Sequence, residues 1–322
     1  MFSVILPLYN KQSSVERSIR SITGQTLTPD ELIIVNDGST DCSGDIARET
    51  IRSFNYCKII DQPNAGVSIA RNNGVAMATH DYLAFLDADD WWEPGFLEEM
   101  AELVEKHPGA GIYASGYHII KRGRRRVAPV GLPPGFVSGR VDYFKTYADT
   151  LCMPVWTGAT VVPKKVFEEA GGFNPRLRLG EDFDLWVRIA LKHPVVLLNR
   201  PLSNYSQDAD PAFRAVGRLH DPATHMLWNL GHLEAEERSN PELKRLLDNL
   251  RVYGLLRYYL DDRYREAARS ELARVDWSRQ PVHERWRYRL PVPVLKAWRT
   301  GMKAGAWLKS KAGGDTEGHG AS

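Results

Sequence analysis

The chain has 322 residues, 43% of them hydrophobic, with 42 Lys and Arg against 40 Asp and Glu. So even a balance argues against a dedicated nucleic-acid binder, which would carry a marked basic excess. The three cysteines, Cys42, Cys57 and Cys152, are odd in number and lack CxxC spacing. That excludes a disulfide framework and a cysteine zinc site, and suits a reducing compartment.

Met1-Phe2-Ser3 runs straight into an apolar stretch, so no signal peptide is expected ahead of the fold. No apolar window reaches the roughly 18 residues that a membrane span needs. The expectation is a cytoplasmic protein, soluble or peripheral on a membrane.

SVILPLYN opens the chain as a buried strand, and Val15, Ile19 and Ile22 follow at helical spacing. ELIIVNDGS is a second strand, rich in β-branched residues, and DCSGDIARETIRSF is the helix after it. CKIID is a third strand, NAGVSIARNNGVAMA a third helix, and DYLAFLDADD completes a fourth strand. After Pro94, Phe96, Leu97, Met100, Leu103 and Val104 recur at helical spacing, which puts Pro94 at a helix's first position. Alternation of this length predicts an α/β fold with parallel strands, right-handed crossovers and helices on both faces. Ligands of such sheets bind beyond the carboxyl ends of the strands.

Three of those ends carry polar groups: Tyr9-Asn10, Asp37-Gly38-Ser39 and Asp87-Ala88-Asp89. The carboxylates of Asp87, Asp89 and Asp90 repel one another and lose hydration. Either a hard divalent cation with oxygen ligands offsets that cost, or the stretch is an acidic turn that caps the next helix. Asp37 either accepts from a ligand's imide or ribose hydroxyl or makes a plain Asp-Gly turn. Gly66 stands near a helix start, and Arg71 one turn later reaches a diphosphate or pairs with a surface carboxylate. No Gly-x-Gly-x-x-Gly or Walker A pattern is present, so the familiar nicotinamide and ATP sites are not expected.

The middle segment AGIYASGYHII reads as a strand, and five basic residues within 121–126 read as a solvated hairpin tip or an attractor of a phosphorylated acceptor. VAPVGLPPG beyond it reads as an irregular loop. Trp156 suits either stacking on a pyranose ring or a core position. In GEDFDLWVRIA, Phe183, Trp186, Val187, Ala190 and Leu191 share a helical face, so Glu181 and Asp182 sit in the first turn.

VILPLYN, VNDGSTD, NAGVSIARNNG, FLDADD and GEDFDLWVRIA, in this order, resemble the inverting glycosyltransferases of family 2 with the GT-A fold. The resemblance covers residues 2–205. It implies that Pro7 and Tyr9 cradle the base of a nucleotide-sugar donor, UDP-linked above all, and that Asp37 contacts uracil or ribose. It implies that Asp87 and Asp89 form the DxD that holds ribose and a magnesium or manganese ion, with Asp89 the more direct ligand. Arg71 is a looser correspondence. Trp156, Thr157 and Gly158 resemble the family's sugar-pocket segment. Asp182 takes the place of the catalytic base, with Glu181 orienting the acceptor, a glycan or lipid-linked hydroxyl in surface polysaccharide synthesis. The family's closing segment often carries Arg and His after a Tyr. Here PLSNYSQDADPAFR has Tyr205 and Ser206 with neither beside them, leaving Arg214, Arg218 or His220 as substitutes. A non-catalytic nucleotide-sugar binder would lack intact Asp87, Asp89 and Asp182. A nucleotidyltransferase would show a Gly-rich basic loop where this chain has LPLYNKQS.

Residues 206–311 read as a helical region following the 1–205 domain, with stripes at Leu243, Leu246, Leu247, Leu250 and Tyr253 and at Tyr264, Ala267, Ala268 and Leu272. Between 283 and 311, eight Lys and Arg stand against Glu284 alone, with Trp286, Trp298 and Trp307 interleaved. That segment reads as a peripheral membrane contact or a solvated terminal helix. Residues 312–322 read as a disordered tail.

Overall fold

The computed structural model describes residues 1–208 and 218–297. Arg214, Trp298, Trp307 and the 312–322 tail lie outside the described residues. The chain divides into two compact units, Met1–Leu246 and Leu247–Ser322.

The first unit is built on one sheet. Its first half comprises β1 (Phe2–Leu8), β2 (Glu31–Asp37), β3 (Cys57–Gln62) and β4 (Tyr82–Phe85), all parallel. The crossovers are α1 (Val15–Thr23), α2 (Ser43–Ile51) and α3 (Val67–Met77). The remaining strands are β5 (Trp91–Trp92), β6 (Ile112–Lys121), β7 (Arg124–Val127), β8 (Ser138–Val141), β9 (Thr160–Pro163) and β10 (Val195–Ser206). Helices α4 (Phe96–Lys106), α5 (Tyr143–Thr150), α6 (Lys164–Glu169), α7 (Glu181–Ala190) and α8 (Glu234–Ser239) lie between or after them. The order along the sheet is β3-β2-β1-β4-β9-β6-β10-β5, with β7 beside β6 and β8 beside β10. β9 enters antiparallel between β4 and β6, while β6 and β10 are parallel. The strand order turns back at β1, so β1 and β4 flank the switch point where ligands of such sheets bind.

Strand alternation sorts the side chains into two layers. Val4, Leu6 and Leu8 of β1 and Leu32 and Ile34 of β2 join Val15, Ile19, Ala47, Phe96 and Met100 in one core, so α1, α2 and α4 cover that face. Ile5 and Val35 point to the other face and meet α3. There Gly74 is needed for close approach, because a Cβ on it would stand 2.5 Å from Ile5 Cγ2 and 3.3 Å from Val35 Cγ2. Gly74→Val is therefore expected to cost about 1–3 kcal/mol of stability by overpacking. Urea unfolding that moved by less than about 0.5 kcal/mol, as a surface change does, would contradict this packing.

Helix α4 starts at Phe96, with Gly95 as its cap, so Pro94 stands before the helix and not at its first position. Its carbonyl accepts from the Thr26 N–H at 2.8 Å, which holds it in the preceding loop. The basic run forms a hairpin, with all four residues of β7 exposed. Strand β8 and helix α5, which follow the irregular stretch, were not anticipated from the sequence.

The second unit, over its described residues, is helical. It holds the end of α9 (Pro241–Gly254), then α10 (Leu256–Tyr259), α11 (Arg265–Leu272) and α12 (Val282–Arg287). Arg251 is fully buried there, 3.3 Å from Glu271 and 3.6 Å from Asp248. Tyr288 donates to the Val252 carbonyl at 2.6 Å and packs against Tyr259 and Trp277. Of the expected stripes, Leu247, Ala268 and Leu272 are buried, whereas Tyr253 stays 44% exposed. No helix among the described residues is long and apolar enough to cross a membrane.

Candidate active site

A crevice of about 490 Å³ opens at the carboxyl ends of β1, β2 and β4. Pro7, Tyr9, Asp37, Gly66, Arg71, Asp87, Asp89, Trp156 and Glu181 all line it. Thr157, Gly158 and Asp182, also singled out in the sequence, do not. Gly158 is buried behind the wall, where its carbonyl accepts from Trp92 Nε1 at 2.6 Å. Asp182 sits beside the crevice, with Oδ2 3.5 Å from the Thr157 hydroxyl and Oδ1 accepting from the Phe183 N–H at 2.7 Å.

Asp37 is only 2% exposed. Its Oδ1 accepts from Gln62 Nε2 and the Ala65 N–H, and Oδ2 from the Gly66 N–H at 2.9 Å. The carboxylate thus pins the loop that starts α3. Gly66, at φ 94°, caps that helix in a conformation that suits only glycine, and nothing in the structure would touch a Cβ there.

Helix α1 fixes the acidic loop through its backbone. Ser14, Arg17 and Ser18 donate in turn to the carbonyls of Ala88, Asp89 and Asp90. These donors recur at helical spacing, so one face of α1 grips three successive peptide groups. Arg17 also lies over the Trp91 ring at 3.9 Å. Trp92 is buried and stacks on Phe96 at 4.3 Å, in keeping with a packing role.

Two basic side chains pair with acids in the crevice. Lys11 Nζ meets Asp89 Oδ2 at 2.6 Å. Arg71 is 3% exposed, and its guanidinium spans Asp87 Oδ1 at 2.7 Å and Glu181 Oε1 at 3.1 Å. Burial opposes its charge, but Asp87 and Glu181 outweigh that and raise its pKa overall. Arg71 thus neither makes a surface pair nor stands free to receive a diphosphate. It ties the acidic loop to the first turn of α7.

Burial, and then the neighbouring Glu181 charge, push Asp182 up to about 7, although Arg71 pulls the other way. Tyr143 and Tyr147 of α5 are buried close enough for its charge to be felt, so α5 forms part of the apolar surround. Asp90 is 1% exposed and is raised well above the usual range by burial and by Asp89 and Asp87. Its Oδ1 accepts from the Ser206 N–H at 2.8 Å and its Oδ2 from Trp156 Nε1 at 3.3 Å. Trp156 in turn stacks with Tyr205, centroids 4.0 Å apart, and with Tyr117 at 5.8 Å. Its ring belongs to an aromatic wall.

Of the candidates for the closing segment, Arg218 and His220 line the crevice. Arg178, which the sequence reading passed over, lines it too and is exposed just ahead of α7. Lys11, Ser14, Arg17 and Ser18 were also missed. Their only signal was helical spacing immediately after the first strand.

Residues 3–153 match the sequence profile described as Glycosyl transferase family 2. The amylovoran biosynthesis glycosyltransferase AmsE of Erwinia amylovora is 30% identical over 239 residues, covering 71% of this chain and 85% of that protein. The putative glycosyltransferase EpsH of Bacillus subtilis is 41% identical over 98 residues, 30% of this chain and 28% of EpsH. The chain thus matches less than a third of EpsH's length. Among solved structures, S. aureus TarS in complex with UDP-GlcNAc superposes with a TM-score of 0.66 at 19% identity, covering 80% of this chain and 75% of that one. That likeness establishes the fold, the GT-A arrangement with a helical region after it. The length of the AmsE match, together with the profile match, shows that the chain belongs to glycosyltransferase family 2.

Proposed function

We propose that the chain is an inverting glycosyltransferase that moves a sugar from a UDP-sugar to a hydroxyl of a glycan or lipid-linked acceptor in surface polysaccharide synthesis. The observation that carries this reading is the meeting of Asp87, Asp89 and Glu181 in one crevice, with Asp182 beside them in a setting that raises its pKa. Amylovoran synthesis by a relative and UDP-GlcNAc bound to TarS support the polymer and the donor.

Tyr9, 38% exposed at the end of β1, offers a face to the base. Asp37 Oδ2 accepts one backbone N–H, which leaves it acceptor capacity for an imide N–H. Asp182 takes the acceptor's proton as the hydroxyl attacks the anomeric carbon from the face opposite the diphosphate. Glu181, held by Arg71, orients the acceptor. The transfer is a single displacement and needs no carboxylate nucleophile. Arg178 supplies a cation to the departing diphosphate in place of the expected closing-segment arginine.

Asp87 and Asp89 suit a magnesium or manganese ion. Each commits one oxygen to a basic side chain and keeps another that would hold a hard cation. No group of three or more acidic, His or Cys ligands stands among the described residues. When bound, the ion neutralises charge on the leaving diphosphate. Peripheral contact with the inner face of the cytoplasmic membrane through 283–311 completes the proposal.

Two measurements test it. In a thermal-shift panel of nucleotide-sugars with manganese, UDP-sugars are expected to stabilise the chain, and silence across the panel would reject donor binding. Asp89→Ala is expected to weaken manganese-dependent UDP binding by about tenfold or more, since loss of even an outer-shell partner costs about 10–100-fold. An unchanged affinity in calorimetry would remove Asp89 from the metal role.

A further inference from the structure

The second unit carries a feature that sugar transfer does not use. Val282, Trp286, Leu290 and Val294 are 59%, 59%, 40% and 49% exposed, four large apolar side chains at four-residue intervals along one stretch. Single exposed apolar residues are ordinary, whereas several gathered in one short stretch mark a contact; these stand on α12, in the turn after it and on the helical stretch 292–297. Glu284 is the only carboxylate between 282 and 297, and it is 1% exposed and paired with Arg287 at 2.6 Å. The row therefore presents no exposed acid.

Beside it lies a cavity of about 390 Å³, lined by Tyr259, Arg269, Trp277, Arg285, Tyr288 and Arg289. Arg285 Nε is buried without a hydrogen-bond partner. Arg289 lies over the Trp286 ring at 5.7 Å. Among the described residues neither Arg285 nor Arg289 has a carboxylate partner. Guanidinium groups on an aromatic-walled cavity, next to an apolar row, match the two-part chemistry of a phospholipid: a phosphate headgroup and the acyl boundary beneath it.

We propose that residues 282–294 dock on an anionic bilayer. Trp286 and Leu290 enter the acyl boundary, and Arg269, Arg285 and Arg289 hold the phosphate of a lipid headgroup at the cavity. This rests on the peripheral-membrane reading above and names its residues and its lipid class. An acidic polysaccharide would also satisfy the arginines, but it gives no reason for the apolar row.

The test is flotation of the full chain with vesicles of phosphatidylglycerol and phosphatidylcholine, and with phosphatidylcholine alone. Binding is expected only to the anionic vesicles, and it should weaken as salt is raised. Arg285→Gln/Arg289→Gln is expected to lower partitioning by about tenfold or more, and Trp286→Ser by severalfold. Arg124→Gln/Arg126→Gln, on the exposed hairpin of the first unit, is the control and should bind as the parent does. Circular dichroism matching the parent would show that the variants are folded. If vesicle binding persists undiminished in both unit-two variants, the docking row is wrong while a peripheral protein remains. If vesicles do not bind at all, both are wrong. If dextran sulfate binds through Arg285 and Arg289 while vesicles do not, the cavity is a glycan site and the lipid assignment fails.

Discussion

Asp182→Asn is expected to slow sugar transfer by about 10²–10⁴-fold, the range that a positioned general base contributes, while UDP-sugar binding stays near that of the parent. The amide keeps the shape of the carboxylate and its contacts with Thr157 and the Phe183 N–H, so the crevice should remain intact. What it loses is the ability to take a proton. Burial and the adjacent Glu181 charge set the parent carboxyl at about 7. Because the deprotonated form is the active one, transfer by the parent should climb as pH rises through about 7 and level off above it. Glu181→Gln should behave differently, since Glu181 is engaged by Arg71 at 3.1 Å and faces the crevice directly. It should raise KM for the acceptor and, because the Glu181 charge helps raise the Asp182 carboxyl, move the pH midpoint downward. Transfer at the parent rate by Asp182→Asn, measured in single turnovers with binding checked by calorimetry, would hand the base role to another group.

Arg71→Met is expected to be the most destabilising substitution in the crevice. Removing one partner of a buried pair leaves the remaining charge uncompensated, typically at about 3–5 kcal/mol. The lower end applies here, about 3 kcal/mol, because the Asp87 side chain keeps 27% of its surface in water. Arg71→Lys should recover only part of the loss, since one ammonium cannot span both Asp87 Oδ1 and Glu181 Oε1 with the geometry of a planar fork. A second consequence separates this from simple unfolding. Arg71 holds the Asp182 pKa down, so in a residual folded Met variant the pH midpoint of transfer should move upward, and by less in the Lys variant, which keeps the charge. Guanidinium unfolding curves that overlay the parent's, or an unmoved pH profile, would show that Arg71 is not the link between the two acidic motifs.

The first half of the sheet was readable because β1, β2 and most of β4 are buried on both faces, with only the edge strand β3 half-buried. Such strands appear as near-continuous apolar runs closed by Asn, Asp or Gly. The rule for open sheets then gathers Tyr9, Asp37, Asp87 and Asp89 at one edge before any coordinate is known. The second half was harder. β9 is four residues long and antiparallel between the equally short β4 and the ten-residue β6, and TVVP carries no period that reveals its partners. Helix α5 follows a stretch of proline and glycine, and its YFKTYADT reads as a mixed surface although Tyr143 and Tyr147 are buried. Lys11, Ser14, Arg17 and Ser18 look like the polar side of an amphipathic helix. Their partners lie more than 70 positions away, a separation that local pattern cannot bridge. Glu181 and Asp182 were legible as a pair, but only packing tells that the first lines the crevice and the second stands beside it.

The bonds of Asp90 have a bearing on how this scaffold can be re-engineered. One carboxyl at the end of the acidic loop holds both Trp156 and the last residue of β10, so two chain segments far apart in sequence share a single anchor. A chimera that exchanges the 150–160 segment for a relative's, in search of a new acceptor, would lose the Trp156 bond to Asp90 and the ring contact with Tyr205 near the end of β10. The two segments therefore form one transplantable cassette, and libraries that vary them independently will mostly sample unanchored walls.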